Sequence, residues 1–199
     1  RIGRLNAPAY HHRCSAMSMV TESDLRRAVA RFAAGVTIVG AVDPDGEPRG
    51  MTVSAFLFIS FDPPLILASV ADAVPTLEAI RQRSAFGVSI LGVDQQKLSD
   101  RFAGEEDGRF EHVGYDAGPD GAIALHGAIG TLECRLEREL VLGDHVVLVG
   151  LVQAAAFQEG RPLLYYRGKY GSFHSLSESQ VPRWPADEEL TIADHAAYW

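Results

Sequence analysis

The sequence predicts one domain built mainly of antiparallel β-strands, arranged as a barrel and accompanied by two or three short helices. Short apolar, β-branched runs recur along the 199-residue chain, with clusters of Gly, Pro and Asp between them. One segment, Gly130–Leu140, alternates apolar and polar residues as a strand with one solvated face does. No strand is followed by GxGxxG, so a doubly wound sheet with a dinucleotide crevice is not predicted.

The N-terminal part of the domain is predicted to hold a helix followed by a β-hairpin. Thr21–Ala34 has apolar residues at helical spacing, namely Leu25, Val29 and Phe32. The β-rich run Val36–Val42 follows and ends at the turn signal Asp43–Gly46. We therefore expect the next strand to return antiparallel to it.

The stretch Gly50–Pro64, GMTVSAFLFISFDPP, is the most informative in the chain. Small residues come first and bulky apolar residues follow, up to the stop at Asp62-Pro63-Pro64. This order predicts a strand that leaves its main chain bare at one end and anchors in a core at the other. Bare N–H and C=O groups can reach a flat polar ligand, so we interpret the stretch as a ligand cradle. The alternative is an ordinary core strand before a proline turn.

The remaining predicted elements alternate strands with short helices. In order they are a strand Leu65–Val70, a helix Pro75–Arg83, a strand Phe86–Leu91, a helix Gln95–Ala103, an exposed loop Gly104–Gly121, and strands Gly130–Leu140, His145–Phe157 and Leu163–Tyr166. Within Gly130–Leu140, Cys134 points to the apolar side and is interpreted as a small core residue.

Bulk properties exclude several function classes. The net charge of −8 opposes binding to nucleic acid or to an anionic membrane, and no apolar run approaches the roughly 20 residues of a membrane helix. Two cysteines far apart, Cys14 and Cys134, form no disulfide framework, so a cytoplasmic location is expected. We divide the chain into an N-terminal extension (1–20), a domain (21–176) and a C-terminal tail (177–199).

Few motifs carry chemistry on their own. P-loop, HExxH and GxSxG patterns are missing from the sequence, and His11, His12 and Cys14 make only a poor metal set. His145, in Gly143-Asp144-His145, can point its ring into a cleft or serve only the structure of a strand end. The segment Arg167–Gly171 places two cations and an aromatic ring beside glycines. This composition suits the binding of an anionic, flat-ringed ligand, and it is equally typical of a solvated hairpin end.

Taken together, these segments resemble the flavin reductase family, the NAD(P)H:flavin oxidoreductases that supply two-component monooxygenases. The matching segments are GMTVSAFLFISFDPPLILASV (Gly50–Val70), PTLEAIRQ (Pro75–Gln82), FGVSIL (Phe86–Leu91), KLSDRFAG (Lys97–Gly104), Gly143-Asp144-His145 and PLLYYRGKYG (Pro162–Gly171). The resemblance runs in one order from about Leu25 to Phe173, which makes it more specific than any one motif.

The resemblance implies a homodimeric, FMN-binding split β-barrel that transfers hydride from NADH or NADPH to FMN or FAD. The reduced flavin then diffuses to a partner monooxygenase. The residues implied to line the flavin ring are Arg49, Gly50, Met51, Thr52, Ser54, Ala55, Ser69, Val70 and Ala71. Those implied near its ribityl phosphate are Thr76, Arg101 and Phe102, and those implied to receive the nicotinamide nucleotide are His145, Arg167, Lys169 and Tyr170.

Several questions stay open at this point. His145 is interpreted as an orienter of the nicotinamide or a local cation, and not as an obligatory acid or base. The family commonly has hydroxyl residues where this chain has Asp72-Ala73-Val74-Pro75. This difference predicts weak phosphate binding, phosphate binding that rests on Thr76, Arg101 and helix N-terminal amides, or a changed flavin preference. The alternatives are a flavin-binding module without catalysis and a flavoenzyme of the pyridoxamine-phosphate-oxidase type.

Overall fold

The computed structural model describes residues 20–106 and 108–175, and all paired strands in this part of the chain are antiparallel. The elements, in chain order, are α1 (Glu22–Val29), β1 (Ala34–Gly35), β2 (Thr37–Val42), β3 (Pro48–Val53), β4 (Phe56–Phe61), β5 (Pro64–Ala71), α2 (Pro75–Arg83), β6 (Ala85–Ile90), a 3-10 turn (Val93–Gln95), α3 (Gln96–Ala103), β7 (Tyr115–Ala117), β8 (Ile123–Leu125), β9 (Gly130–Leu142), β10 (His145–Phe157), β11 (Leu163–Tyr166) and β12 (Lys169–Ser172). The predicted class, mostly β with short helices, is confirmed.

A seven-stranded sheet forms the body of the domain, in the order β3-β2-β6-β9-β10-β5-β4. Its two edge strands, β3 and β4, are consecutive in sequence and are joined by only Ser54 and Ala55. A link this short requires the sheet to curl until its two edges meet at that corner. The amide of Ser69 on β5 donates to the Ala55 carbonyl at 2.9 Å and fixes the corner in place.

The corner corrects one prediction. Gly50–Phe61 is not one strand. Its first part, β3, pairs with β2 at one edge of the sheet, whereas its second part, β4, pairs with β5 at the other edge. The change from small to bulky residues therefore marks a change of partner strand. The end of the strand at Asp62–Pro64 is confirmed, since β4 stops at Phe61 and β5 starts at Pro64.

Two apolar cores lie on opposite faces of β2. Val39 joins the core enclosed by the curled sheet, with Ile66, Phe86 and Leu148. Its neighbour Ile38 joins a second core. That core packs beneath α3 and β8, with Leu91, Phe102, Ile123 and Leu163 as members. Burial of both faces explains why β2 is a continuous apolar run and does not alternate.

The helix α1 differs most from its prediction. Thr21 caps it by accepting a hydrogen bond from the Asp24 amide, but it ends at Val29, and no residue of it is buried. Leu25, Val29 and Phe32 are 50%, 59% and 78% exposed. The spacing correctly predicted a helix with an apolar face, but periodicity does not say what that face covers.

Two further predictions have mixed outcomes. The region 104–121 is not simply an exposed loop, because Phe110 and Tyr115 are half-buried and extend the edge-to-face stacking from Phe102. Cys134 lies in the core as predicted. Burial raises the pKa of its thiol to about 12, and the Glu133 carboxylate adds to the effect. A thiol with that pKa is not a nucleophile at neutral pH.

None of the helices within residues 20–106 and 108–175 is both long and apolar enough to cross a membrane. The same residues contain no group of three or more His, Cys, Asp or Glu side chains placed to hold a metal ion. His11, His12 and Cys14 lie outside the described residues, as do most of the predicted N-terminal extension and all of the predicted C-terminal tail.

Candidate functional site

A cavity of about 820 Å³ opens beside the Ser54–Ala55 corner. Its apolar walls are contributed by α1, β4, β5, β10 and β11 and include Val29, Phe32, Leu57, Leu67, Val147 and Tyr165. Its polar lining is sparse and consists of Ser54, Ser69, Arg26 and Arg167. Apolar walls with a few polar groups are typical of sites that bind a flat organic ligand.

The corner presents main-chain groups to this cavity. Ser54 and Ala55 are exposed, and their small side chains cover little of the backbone. The strand β3 is an edge strand, so the polar groups on one of its sides have no neighbouring strand. The Gly50 carbonyl on that side accepts a hydrogen bond from Arg109 at 2.8 Å. The Gly50 carbonyl thus faces Arg109, and neither Gly50 nor Thr52 lines the main cavity, so the main chain at the cavity is that of Ser54 and Ala55.

The hairpin turn between β11 and β12 brings positive charge to the cavity. Arg167 and Gly168 occupy its two central positions, with φ of +52° and +77°. Positive φ at both positions is the type I′ geometry that suits two-residue hairpins, but it costs a non-glycine residue such as Arg167 about 1–2 kcal/mol. Arg167 borders the main cavity and also a second cavity of about 480 Å³ that Lys169 lines. The turn therefore places the Arg167 side chain at the border of both cavities.

A chain of hydrogen bonds connects this hairpin to β3 through α3. The Tyr170 hydroxyl donates to Oδ1 of Asp100 at 2.9 Å and lies 2.9 Å from Oγ of Ser99. The Ser99 carbonyl in turn accepts from Oγ1 of Thr52 at 2.7 Å. Burial raises the pKa of Tyr170, and the Asp100 carboxylate beside it contributes in the same direction. Tyr170 therefore stays protonated at neutral pH.

His145 begins β10 and lies on the same outward side as Val147, two residues further along the strand. Its side chain is 49% exposed, and its Nδ1 is 2.8 Å from Oδ1 of Asp144. This hydrogen bond lowers the pKa of Asp144 below its usual range. Val147 lines the cavity, whereas His145 is outside the set of lining residues. The imidazole is thus near the site and solvated.

The structure brings part of the predicted site together. Ser54, Ala55, Ser69 and Arg167 line one cavity, although they come from three separate segments. They include residues predicted for the flavin and a residue predicted for the nicotinamide nucleotide. Lys169 and Tyr170 lie on the second cavity, which shares Arg167 with the first.

The other predicted residues are placed differently. The side chains of Val70 and Phe102 are fully buried in the two cores, so they can meet a ligand only through their main chain. Met51 packs against the enclosed core, and Ala71 is half-buried opposite His145. Gly50 lies beneath Phe102 and Phe110, since a Cβ there would come 3.0–3.1 Å from their rings.

Three of the predicted polar residues are engaged within the protein or enclosed by it. Arg49 contacts Asp43 at 3.2 Å, and Arg101 donates to the Glu111 carbonyl at 2.8 Å. Thr76 is fully buried at the start of α2, and its hydroxyl has no hydrogen-bond partner among the described residues. In this conformation none of the three presents a free group to the main cavity.

The apolar wall was not predicted. Val29, Phe32, Leu57 and Val147 come from distant segments, and sequence spacing alone does not show that they meet. One signal was available, namely that α1 carries an apolar face. That face turned out to line the cavity and not the core.

Comparison with known proteins agrees with this geometry. Residues 29–174 match the family model "Flavin reductase like domain". The chain is 37% identical over 149 residues to FMN reductase (NADH) SmoA of Agrobacterium fabrum, covering 74% of this chain and 84% of that protein. It is also 37% identical over 146 residues to the reductase component of 4-hydroxyphenylacetate 3-monooxygenase from Thermus thermophilus, covering 73% of this chain and 92% of that protein.

Among solved structures, the chain is similar to the NADH:FAD oxidoreductase of Streptomyces globisporus in complex with NAD and FAD fragments. The two superpose with a TM-score of 0.69 at 30% identity, over 84% of this chain and 94% of that one.

Proposed function

The chain belongs to the flavin reductase family, and from that premise we propose that it is an NADH:flavin oxidoreductase that reduces FMN or FAD and supplies the reduced flavin to a partner monooxygenase. The observation that carries the proposal is a single cavity lined both by the corner residues Ser54, Ala55 and Ser69 and by the cationic turn residue Arg167. The corner suits a flavin ring, and the turn suits the phosphates of a nicotinamide nucleotide.

The residues present fit a flavin. A volume of about 820 Å³ is within the range of small-molecule sites and leaves room for a second ring. The apolar walls, such as Leu67 and Val147, suit the faces of a flat tricyclic ring. The bare main chain at Ser54 and Ala55 suits its polar edge, because amide N–H groups can donate to ring carbonyls and nitrogens.

When bound, a flavin supplies a ring that accepts a hydride from the nicotinamide. The protein's part is to hold both rings in place, to exclude water and to provide a favourable field. The main-chain N–H groups of Ser54 and Ala55 would stabilise negative charge on a bound ring without any reorganisation of side chains. We interpret His145 as an orienter of the nicotinamide or a local cation, and not as an obligatory acid or base, since its half-exposed ring contacts the exposed carboxylate of Asp144.

The proposal includes a homodimer of split β-barrels. Support comes from the outward side of the edge strand β4, where Leu57, Ile59 and Phe61 are 56%, 45% and 70% exposed. A row of exposed apolar side chains along one side of an edge strand is typical of a protein–protein interface. The meeting of the two edge strands at one corner supports a barrel that is incomplete elsewhere. Sedimentation velocity of the protein checks this part, and a monomer at micromolar concentration would contradict it.

We further propose that residues 21–176 act as the catalytic domain between the N-terminal extension and the C-terminal tail, and that the protein works in the cytoplasm. The extent of the family match, residues 29–174, supports the domain limits. The buried free thiol of Cys134 is compatible with a reducing compartment.

A steady-state assay tests the function. Purified protein is mixed with NADH and increasing free FMN or FAD under anaerobic conditions, and the nicotinamide absorbance is followed. We expect turnover that saturates with added flavin. A tightly bound flavin that NADH cannot bleach would indicate a non-catalytic module, and bleaching only by an amine substrate would indicate an oxidase; either result overturns the proposal.

A further inference from the structure

We propose that Tyr170 is a positioning residue for hydride transfer, whose hydroxyl fixes the Arg167 turn relative to β3. This inference rests on the proposed function, because β3 and its corner are assigned there to the flavin and the turn to the hydride donor. Tyr170 is assigned no contact with either ring. Its role is to set the distance between the two segments that hold them.

The direction of each hydrogen bond in the connection can be assigned. A carboxylate only accepts, so the one proton of the Tyr170 hydroxyl is donated to Asp100 at 2.9 Å. The Ser99 hydroxyl, 2.9 Å away, must then be the donor to the Tyr170 oxygen. The Ser99 carbonyl accepts from Thr52 at 2.7 Å, which completes a continuous path from β12 through α3 to β3.

The burial of Ser99 makes this path costly to break. Ser99 is 0% exposed, so a Ser99 hydroxyl that loses Tyr170 has no water to replace it. The raised pKa of Tyr170 keeps its hydroxyl a donor across the neutral range, so the path does not switch with ordinary changes in pH.

The position of Tyr170 in the hairpin explains why its hydroxyl controls the placement of the turn. The base of the hairpin is held by main-chain bonds, from the Leu163 amide to the Leu91 carbonyl at 2.9 Å and from the Val36 amide to the Leu163 carbonyl at 3.1 Å. Tyr170 pairs with Tyr165, one residue pair away from the turn pair Tyr166–Lys169. The Tyr165 ring stacks edge-on against Tyr170 at 5.3 Å and lines the main cavity. Loss of the Tyr170 hydroxyl therefore loosens the end of the hairpin that borders the site, while its base stays fixed.

Hydride transfer is sensitive to such loosening. The reacting atoms must approach to about 3–3.5 Å, and a misplacement of about 1 Å can cost a hundredfold in rate. Binding of NADH depends less steeply on the separation of the rings. We therefore expect a loss in the rate of hydride transfer that exceeds the loss in NADH affinity.

The test compares Tyr170→Phe with the wild type and with Tyr115→Phe. Tyr115 is half-buried and stacks on Phe110, and its hydroxyl makes no hydrogen bond to any residue in the described ranges, so this variant removes a comparable hydroxyl away from the site. The first readout needs no cofactor: hydrogen–deuterium exchange of residues 163–172 in the ligand-free protein. Tyr170→Phe is expected to exchange about tenfold faster there, and Tyr115→Phe at the wild-type rate.

The second readout is kinetic. Stopped-flow measurement of flavin reduction by NADH is expected to show hydride transfer about tenfold slower in Tyr170→Phe, with KM for NADH within about twofold of wild type. Asp100→Asn keeps an oxygen acceptor for the Tyr170 proton. Its rate of hydride transfer is therefore expected to lie between those of the wild type and Tyr170→Phe. It also keeps the test decisive if Tyr170→Phe folds poorly.

The outcomes separate the two proposals. An inactive wild type would overturn the proposed function and this inference with it. An active wild type whose hydride transfer is unchanged in Tyr170→Phe would overturn this inference alone. A higher KM for NADH with unchanged hydride transfer would also overturn it, because Tyr170 would then be a contact for the nucleotide.

Discussion

Arg167 has a strained backbone conformation and a side chain that borders the cavity. Two substitutions can therefore separate its effect on stability from its effect on ligand binding. Arg167→Gly removes both the side chain and the strain of a positive φ of 52°. Arg167→Ala removes the side chain beyond Cβ and keeps the strain. The two variants therefore share any loss of ligand contacts and differ only in stability.

The magnitudes follow from the geometry. Relief of the left-handed conformation is worth about 1–2 kcal/mol, and the greater freedom of glycine in the unfolded chain returns about 0.5–1 kcal/mol of this. Arg167→Gly should therefore be more stable than Arg167→Ala by about 0.5–1 kcal/mol, or a few degrees in Tm. Because the arginine is exposed, we expect its charge to contribute only about 1 kcal/mol to NADH binding, which is about a fivefold rise in KM for both variants.

Urea denaturation and steady-state kinetics at low salt measure the two effects. Since an exposed charge is screened by salt, the difference in KM between wild type and variants should shrink as ionic strength rises. Equal stability of the glycine and alanine variants would show that the turn is not strained. A wild-type KM for NADH in both would show that Arg167 borders the cavity without contacting the hydride donor.

Three other substitutions test the fold and the site. A Cβ on Gly87 would lie 1.9 Å from the Ile123 carbonyl oxygen, so Gly87→Ala should destabilise the fold by more than about 4 kcal/mol, whereas Gly35→Ala, with nothing within 4 Å, should change the Tm little. Ala55→Leu fills the cavity at an exposed corner, so fluorescence titration should show flavin binding weakened at least about tenfold with an unchanged Tm. Burial works to raise the pKa of Asp43, but two turn amides and a neighbouring arginine lower it below the usual 3.8. Its carboxylate therefore stabilises the fold above about pH 4, and that contribution is lost as pH falls through the folded-state pKa. Asp43→Ala should cost about 1–2 kcal/mol at pH 7, and the difference from wild type in urea titrations should shrink towards pH 2.5.

Local signals predicted the elements well because the interactions that form them are local. The helix Pro75–Arg83 was predicted with its observed bounds, since proline in the first turn marks where it begins. The turn Asp43–Gly46 predicted the antiparallel pairing of β2 with β3, because the Asp43 side chain and a positive φ at Gly46 build that turn from within.

The site depends on contacts between distant segments, and these were predictable only in part. Ser54, Ala55, Ser69 and Arg167 were named from the resemblance, which carries information about distant contacts that spacing lacks. The division of Gly50–Phe61 between two edges of one sheet was missed, because a short apolar run does not say which strand it pairs with. The apolar face of α1 was predicted without its surroundings for a related reason, since an amphipathic pattern is the same whether it faces a core or a cavity.

The two-residue corner has a mechanical consequence. Because β3 and β4 share no ladder of hydrogen bonds with each other, a ligand can reach Ser54 and Ala55 without breaking any β-pair of the sheet. A ligand at this site can therefore bind and dissociate without unfolding any part of the sheet. Such a site favours rapid exchange of the ligand over permanent binding, which a reductase that releases reduced flavin to another enzyme requires.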